Sequence, residues 1–490
     1  MTIAAALSIA TGGLANINAQ FSLISQNVAN ATTPGYSDEI ATQQCMDVGG
    51  LGLGVRTGPT TRDVDAALQG EVYSQNATVA GLQTQQTALQ AIDAAQGTPG
   101  QNSDIASLLG NLQNQFSTLL NDPSSQAQQS QVVTSATTLA QNINELSNTY
   151  GTQRQTAQDN IVSEVTTLNT ALGTIGDLSN QIIALQASGQ STADLENQRD
   201  AALATVSQLV DVKVLQQPNG DMLLTTTAGL TLPIHSTTNP LSTSDVNVQS
   251  GDYYPGGGIP AIMLGGSDVT RQLQGGQIGA NITLRDTTLP TDQAELDEFS
   301  ENLATRFQAN GLTLFTDPAG NVPAAAPPPV QNGYVGFAGT IQVNPAVQAE
   351  PSAVRDGTPS ISGGLAGFTG IIDAVLNNTL GDNPPLASNV SGLGPSGTLS
   401  APYVSPTTLG SLASTMLAAQ AQDSASTTNQ LTTEQSVQAM LSSKLSTQSG
   451  VDIDTEVANM IELQNAYGAN ARVLSAVQSM WTQLLNSVTS

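Results

Sequence analysis

The spacing of apolar residues at the two ends of this chain restricts its fold more than any other feature. Ile3, Leu7, Ala10, Leu14, Ile17, Phe21, Ile24 and Val28 recur at alternating steps of four and three. A seven-residue repeat of this length demands a helix with an apolar seam, because the spacing keeps one face turned toward a partner helix. Gly12 and Gly13 interrupt the seam, each costing about 1 kcal/mol relative to Ala in a helix. The helix is expected to stop within Asn30–Tyr36, where Pro34 restricts Thr33 and Gly35 supplies a turn. The far end repeats the design. Asp452 or Asp454 can cap a helix whose apolar positions Ile453, Val457, Met460, Tyr467, Leu474, Val477, Trp481, Leu484 and Val488 again follow mostly heptad steps. The only Trp of the chain lies on this seam.

Neither terminal helix is expected to be stable alone. Ordering the chain costs about 1–2 kcal/mol per residue, which an unpartnered seam does not offset. Many amphipathic helices pack on their own globule, and that remains one outcome. Terminal segments usually fray, however, and here they carry the longest seams. The two helices are therefore expected to pair with each other, as a coiled coil, and with neighbouring subunits. The residues assigned to subunit interaction are Ile3, Leu7, Leu14, Ile17, Phe21, Ile24 and Val28 at one end. At the other they are Ile453, Val457, Met460, Tyr467, Leu474, Val477, Trp481 and Leu484.

Charge removes several functions. Lys and Arg total 11 against 38 Asp and Glu, a net charge of -27, so the clustered cations that nucleic acid or an anionic membrane surface would need are missing. No run of eighteen apolar residues is present, and no membrane insertion is expected. Residues 3–15 are apolar enough for a secretory signal, but the first cation is Arg56. Export, if it occurs, is expected to proceed without a cleaved signal peptide. The same charge implies that closely packed subunits repel, so assembly is expected to strengthen with added salt or mild acid.

Catalytic patterns are also missing. One Cys (Cys45) and one His (His235) allow neither a disulfide within the chain nor a zinc set. No metalloprotease, nucleotide-loop or nucleophile-elbow spacing occurs. The glycines of 50–54 lack the lysine of a phosphate loop and read as a linker. His235 reads as a solvated or hydrogen-bonded loop residue. Asp452 and Asp454 lack the rest of a calcium loop, and Arg199 beside Asp200 reads as a surface ion pair of about 0–1 kcal/mol. No enzyme activity, catalytic residue, cofactor or metal is expected.

Between the ends, 66–121 reads as helix, with a break at Gly97-Thr98-Pro99-Gly100 and a stop at Asn121-Asp122-Pro123. Residues 124–188 keep helical spacing from Val132 to Ile182 despite Gly151, Gly173 and Gly176, and 192–209 form a further helix. These suit an antiparallel bundle. Two β-type runs then flank Pro218-Asn219-Gly220, a hairpin signal. Short β runs continue to about 405, broken by a helix near 290–309 and a Pro-rich loop at 323–329, before 406–446 return to helix. The expected fold is mainly α with a β-rich middle. The terminal coiled coil takes 1–45 and 447–490, the bundle 46–210 and 406–446, and the inserted β domain 211–405.

The end motifs carry a resemblance. Asn27-Val28-Ala29-Asn30-Ala31-Thr32-Thr33-Pro34-Gly35-Tyr36-Ser37 resembles the opening signature of the axial proteins of the bacterial flagellum, the rod, hook and hook-associated proteins. Residues 449–461, followed by Gln464, Tyr467, Asn470 and Arg472, resemble their closing signature. Interior stretches point to the hook-associated members: Gly52-Leu53-Gly54-Val55, Arg62, Asp65, Leu119–Pro123, Leu195-Glu196-Asn197-Gln198-Arg199-Asp200, Gly275–Gly279 and Leu284-Arg285-Asp286. The likeness is weakest over 236–270 and 356–430. The chain is short for this family, so an outer variable domain is expected to be reduced or absent.

The resemblance implies a structural subunit at the junction of hook and filament, self-associating in a ring. It further implies contacts with the hook protein and a second hook-associated junction protein. Export would pass through the flagellar type III apparatus to the cell exterior, with an export chaperone bound near the C-terminus. Another axial subunit, hook or distal rod, shares the end signatures but not the helical bundle. A secreted coiled-coil adhesin is a more distant alternative.

Overall fold

A computed structural model describes residues 3–33, 35–48, 51–97, 103–323, 333–361 and 365–489. Pro34, Gly50, Thr98-Pro99-Gly100 and the Pro-rich loop from 324 onward lie outside the described residues, as do the side chains of Ile3 and Val488.

Helix α1 spans Ile3–Asn30. The chain then forms an antiparallel ribbon of β1 (Glu39–Val48) and β2 (Leu51–Arg62). This ribbon was not expected, because Gly52, Gly54, Gly58 and Pro59 mask the β pattern. Those small residues let it lie against α1. Gly54, at a φ of 116°, places its backbone beside Ile9, where a Cβ would stand 3.5 Å from the Ile9 Cα. Thr57 Oγ1 donates to Asn16 Oδ1 at 3.0 Å.

The bundle comprises α2 (Ala66–Gln96), α3 (Ile105–Asn121), α4 (Gln126–Ala187) and α5 (Ala193–Leu209). Asp65, Asp104 and Ser125 cap the first three through side-chain oxygens that accept backbone N–H groups. Gly97, at a φ of 80°, ends α2 in a conformation that favours glycine. Helix α4 runs 62 residues, about 93 Å, unbroken by its three glycines. The hairpin β3 (Val212–Gln216) and β4 (Met222–Thr226) forms as its turn residues imply, with β5 (Thr231–Leu232) added to its edge. Short strands β6 (Leu241–Ser242), β7 (Met263–Leu264) and β8 (Ser267–Asp268) make a second small sheet.

Helix α6 (Gly276–Thr283) passes through a π turn at Leu284–Thr288 into α7 (Leu289–Ala309). The expected helix thus begins a dozen or so residues earlier than its periodicity shows, because the π turn shifts the apolar phase. Beyond it lie β9 (Phe315–Thr316), β10 (Gln342–Val343) and the short helices α8 (Pro345–Ala349), α9 (Ala353–Asp356) and α10 (Gly370–Ala374). A ribbon of β11 (Ser391–Leu393) and β12 (Leu399–Ser400) precedes the two long closing helices, α11 (Leu409–Ser449) and α12 (Ile453–Thr489).

Two cores result, and the middle segment contributes to both. In one, Phe116, Leu139, Ile143 and Tyr150 of the bundle meet Phe299, Phe307, Phe315, Leu412 and Met416. The rings of Phe116 and Phe307 lie 6.0 Å apart, and Phe307 meets Phe315 edge-on at 5.4 Å. In the other, Ile161, Leu168, Ile175, Leu203 and Val206 meet Leu224, Ile262 and Ile278. A polar layer separates them along α4. Arg154 donates to the Arg285 carbonyl at 2.8 Å and to those of Gln249 and Asp252, while Arg285 donates to Gln158 Oε1 at 2.7 Å. The architecture is mainly α, with one β ribbon after α1, small sheets in the middle and a long pair of closing helices.

Helices α2 and α11 pack antiparallel, joined along their length by polar side chains. Gln75 donates to the Glu434 carboxylate at 2.7 Å, Gln438 to Asn76 at 2.8 Å and Gln86 to Thr428 at 3.3 Å. Polar side chains, most of them amides and hydroxyls, thereby join the two halves of the chain.

Candidate assembly surface

Helices α1 and α12 lie side by side and antiparallel. A Cβ at Gly13 would stand 3.2 Å from Asn470 Nδ2, and Asn27 Nδ2 donates to Glu456 Oε1 at 2.9 Å, which fixes the register. Ala10, Ile17 and Ile24 are buried between α1, α12 and the ribbon, and Val477 is buried from the other side. Leu14, Phe21, Val28, Met460 and Leu474 are half-buried. The seam of α1 is therefore used largely within the chain.

Helix α12 is different. Ile453, Val457, Tyr467, Trp481 and Leu484 are all exposed by more than two-fifths, and Leu7 joins them on α1. Four apolar residues that the heptad did not include, Ile461, Val473, Met480 and Leu485, are equally exposed. By the register, Trp481, Leu484 and Leu485 lie beyond Ile3, the first described residue of α1. A single helix partner covers only one side of α12, and apolar residues circle more than one side. An exposed row of this size is a candidate interaction surface.

Beneath this pair sits a polar joint. Asn27, 1% exposed, donates through Nδ2 to Asp38 Oδ1 at 2.6 Å, the Glu39 carbonyl at 2.9 Å and Glu456 Oε1. Its Oδ1 accepts from the Tyr36 hydroxyl at 3.0 Å and from the Glu39 N–H at 3.3 Å. Asn197 on α5 donates to Glu39 Oε1 at 2.9 Å and accepts from the Ser37 N–H. Arg62, ending β2, donates to Glu196 at 3.0 Å, Asn197 at 2.8 Å and Asp200 at 2.8 Å. The turn between α11 and α12 closes the joint: the Ser449 carbonyl accepts from the Asp38 N–H at 2.9 Å, and its hydroxyl from the Asp65 N–H. Burial, and then the neighbouring Glu456 carboxylate, push Asp38 up to about 6. Burial and Asp194 raise Glu39.

The ion pair assigned to Arg199 and Asp200 is not formed. Adjacent residues on a helix point about 100° apart, so Asp200 faces Arg62 while Arg199 donates to the Gly220 carbonyl at 2.7 Å and to Ser179. Both members of the Arg62–Asp200 pair are buried, which makes it a buried bridge rather than a surface one. Asp452 does cap: its Oδ1 accepts the Asp454 and Thr455 N–H groups, and the Thr455 hydroxyl and these N–H groups hold its carboxyl below the usual range. His235 faces Asp221 at 3.0 Å on the surface. The joint as a unit was not read from the sequence. Its signal was the cluster of signature residues Asn27, Tyr36, Arg62, Asn197 and Asp200, which have no shared periodicity.

An exposed apolar helix row thus lies above a buried polar joint that ties both chain ends to the bundle. The family model described as the flagellar hook-associated protein FlgK helical domain matches residues 89–321, and that of the flagellar basal body rod FlgEFG protein C-terminal matches 443–487. The matches make flagellar hook-associated protein 1, a structural flagellar protein, the protein that this chain resembles. A relative, flagellar hook-associated protein 1 of Bacillus subtilis (strain 168), is 24% identical over 235 residues, 46% of each chain. The solved flagellar hook junction protein FlgK from Burkholderia pseudomallei matches 52% of this chain and 46% of its own, at 23% identity and a TM-score of 0.41. The matches thus span about half the length of these relatives.

Proposed function

We propose that this chain is a non-enzymatic structural subunit at the junction between flagellar hook and filament, self-associating in a ring through α1 and α12. The observation that carries this reading is the apolar row of α12, from Ile453 to Leu485, left open on a helix already paired with α1. Covering each such side chain contributes about 1.5–3 kcal/mol when burial is complete, so neighbours on several sides stabilise the pair that one chain alone leaves half-covered. In this reading 1–45 and 447–490 form the inner axial part, 46–210 with 406–446 the bundle, and 211–405 the middle domain. The hook protein, a second hook-associated junction protein and an export chaperone are the partners, and the location is the flagellum outside the cell, reached through the type III export apparatus.

Trp481 tests the reading directly. The sole Trp is 49% exposed, so concentration-dependent assembly is expected to shift its emission to the blue and protect it from acrylamide. Deleting the gene should leave cells with hooks but no filaments. Assembly with Trp481 still fully quenchable, or normal filaments in the deletion, refutes the proposal.

A further inference from the structure

A cleft of about 280 Å³ opens between α1 and α12 just outside the polar joint. Gln20 and Ile24 line one wall, Asp38 and Glu39 the floor, and Glu456 and Glu462 the other wall. Four acidic residues line one small space. Glu456 is 6% exposed, and its carboxyl lies against that of Asp38. Its Oε1 shares Asn27 Nδ2 with Asp38 and the Glu39 carbonyl, so two amide hydrogens serve three acceptors. The nearby cation Arg62 is committed to Glu196 and Asp200. Two neighbouring carboxylates held on one amide repel each other, and a guanidinium at the mouth of the cleft supplies the opposite charge that would relieve them.

Cations are scarce here. Helix α1 has no charged residue, and between 450 and 490 the only cation is Arg472. Its side chain is at least partly accessible, and among the described residues no ion pair engages it. It lies sixteen residues beyond Glu456 on the same helix, about 24 Å along the axis, out of reach of its own cleft. On the self-association reading above, we infer that Arg472 of one copy seats in the Asp38–Glu39–Glu456–Glu462 cleft of the next, setting the axial offset between subunits. The cleft supplies polar register where the apolar row supplies adhesion without direction. A seated guanidinium would also favour the ionised form of Asp38.

The test uses the full chain. Arg472→Ala is expected to raise the concentration needed for assembly about tenfold, with the monomer's circular dichroism unchanged. Arg472→Lys should restore much of the loss and permit a zero-length carbodiimide cross-link through the introduced amine. In polymers of this variant grown from mixed light and heavy nitrogen-labelled chains, that amine is expected to join Glu456, Glu462 or Asp38 of a different chain. Polymers in which it links elsewhere, or only within its own chain, overturn the inference while leaving self-association intact. So does an Arg472→Ala variant that assembles like the wild type. A wild-type chain that stays monomeric at every concentration overturns both.

Discussion

Replacing Arg62 by Ala removes the cation at the centre of the joint. Three acceptors lose their donor: Glu196 at 3.0 Å, Asn197 Oδ1 at 2.8 Å and Asp200 at 2.8 Å. Burial decides the magnitude. The Arg62 and Asp200 side chains are 5% and 3% exposed, whereas Glu196 is 26% exposed and can turn to water. A surface pair would be worth about 0–1 kcal/mol, but truncating one partner of a buried pair strands the other charge and costs about 3–5 kcal/mol. Gln69 still donates to Asp200 at 2.8 Å, which places the expected loss near the lower bound, about 3 kcal/mol. Urea unfolding followed by circular dichroism would measure it, and hydrogen exchange should locate the weakening in β2 and α5. The double variant Arg62→Met with Asp200→Leu, which leaves no charge stranded, should recover most of the stability. A loss under about 1 kcal/mol for Arg62→Ala, or a double variant no better than the single, would refute the argument from burial.

Two helix glycines separate propensity from packing. Gly173 has open space around it, so Gly173→Ala should stabilise α4 by about 0.5–1 kcal/mol, whereas a Cβ at Gly176 would stand 1.8 Å from the Ile234 carbonyl oxygen. Gly176→Ala should therefore cost about 1–3 kcal/mol, and thermal melts that rank the two variants alike would contradict this. Removing Asn27 to Ala deprives the two carboxylates and the Glu39 backbone of their common partner. Local opening of residues 24–40 and 453–460 should become easier by about 2–4 kcal/mol, seen as faster amide exchange there with the bundle unaffected. The pH dependence follows from buried carboxyls. Burial raises Glu164, Asp297 and Glu301 to about 7 and Glu295 to about 9. The folded chain then keeps protons that the unfolded chain gives up near pH 4, so the stability they contribute is full below that pH and declines as pH rises through 7 to 9. The melting temperature should fall between pH 5 and 9; a rise over that interval would exclude these assignments.

Much of the helical frame was legible because its cause is local. The α1 seam, the cap Asp452, the unbroken α4 and the Pro218-Asn219-Gly220 hairpin each arise from residues a few positions apart, where period and turn chemistry act directly. The end motifs likewise pointed to the flagellar proteins that the family models match. The β1–β2 ribbon was hidden, since glycines chosen for close approach to α1 carry no β signal of their own. The partner of Asp200 was misread for a related reason. Proximity along a helix is not proximity in space, and Arg62 arrives from 138 residues away. How the apolar ends are shared out was likewise beyond periodicity. A heptad says that a face must be covered, but only the packed chain shows that Ile17 and Ile24 are covered from within while Trp481 and Leu484 stay open. Local spacing dictates elements, because it sets backbone geometry and the side on which apolar groups emerge. Which of those sides meets another, and which is left for a neighbour, depends on contacts between residues hundreds of positions apart, and no local pattern encodes them.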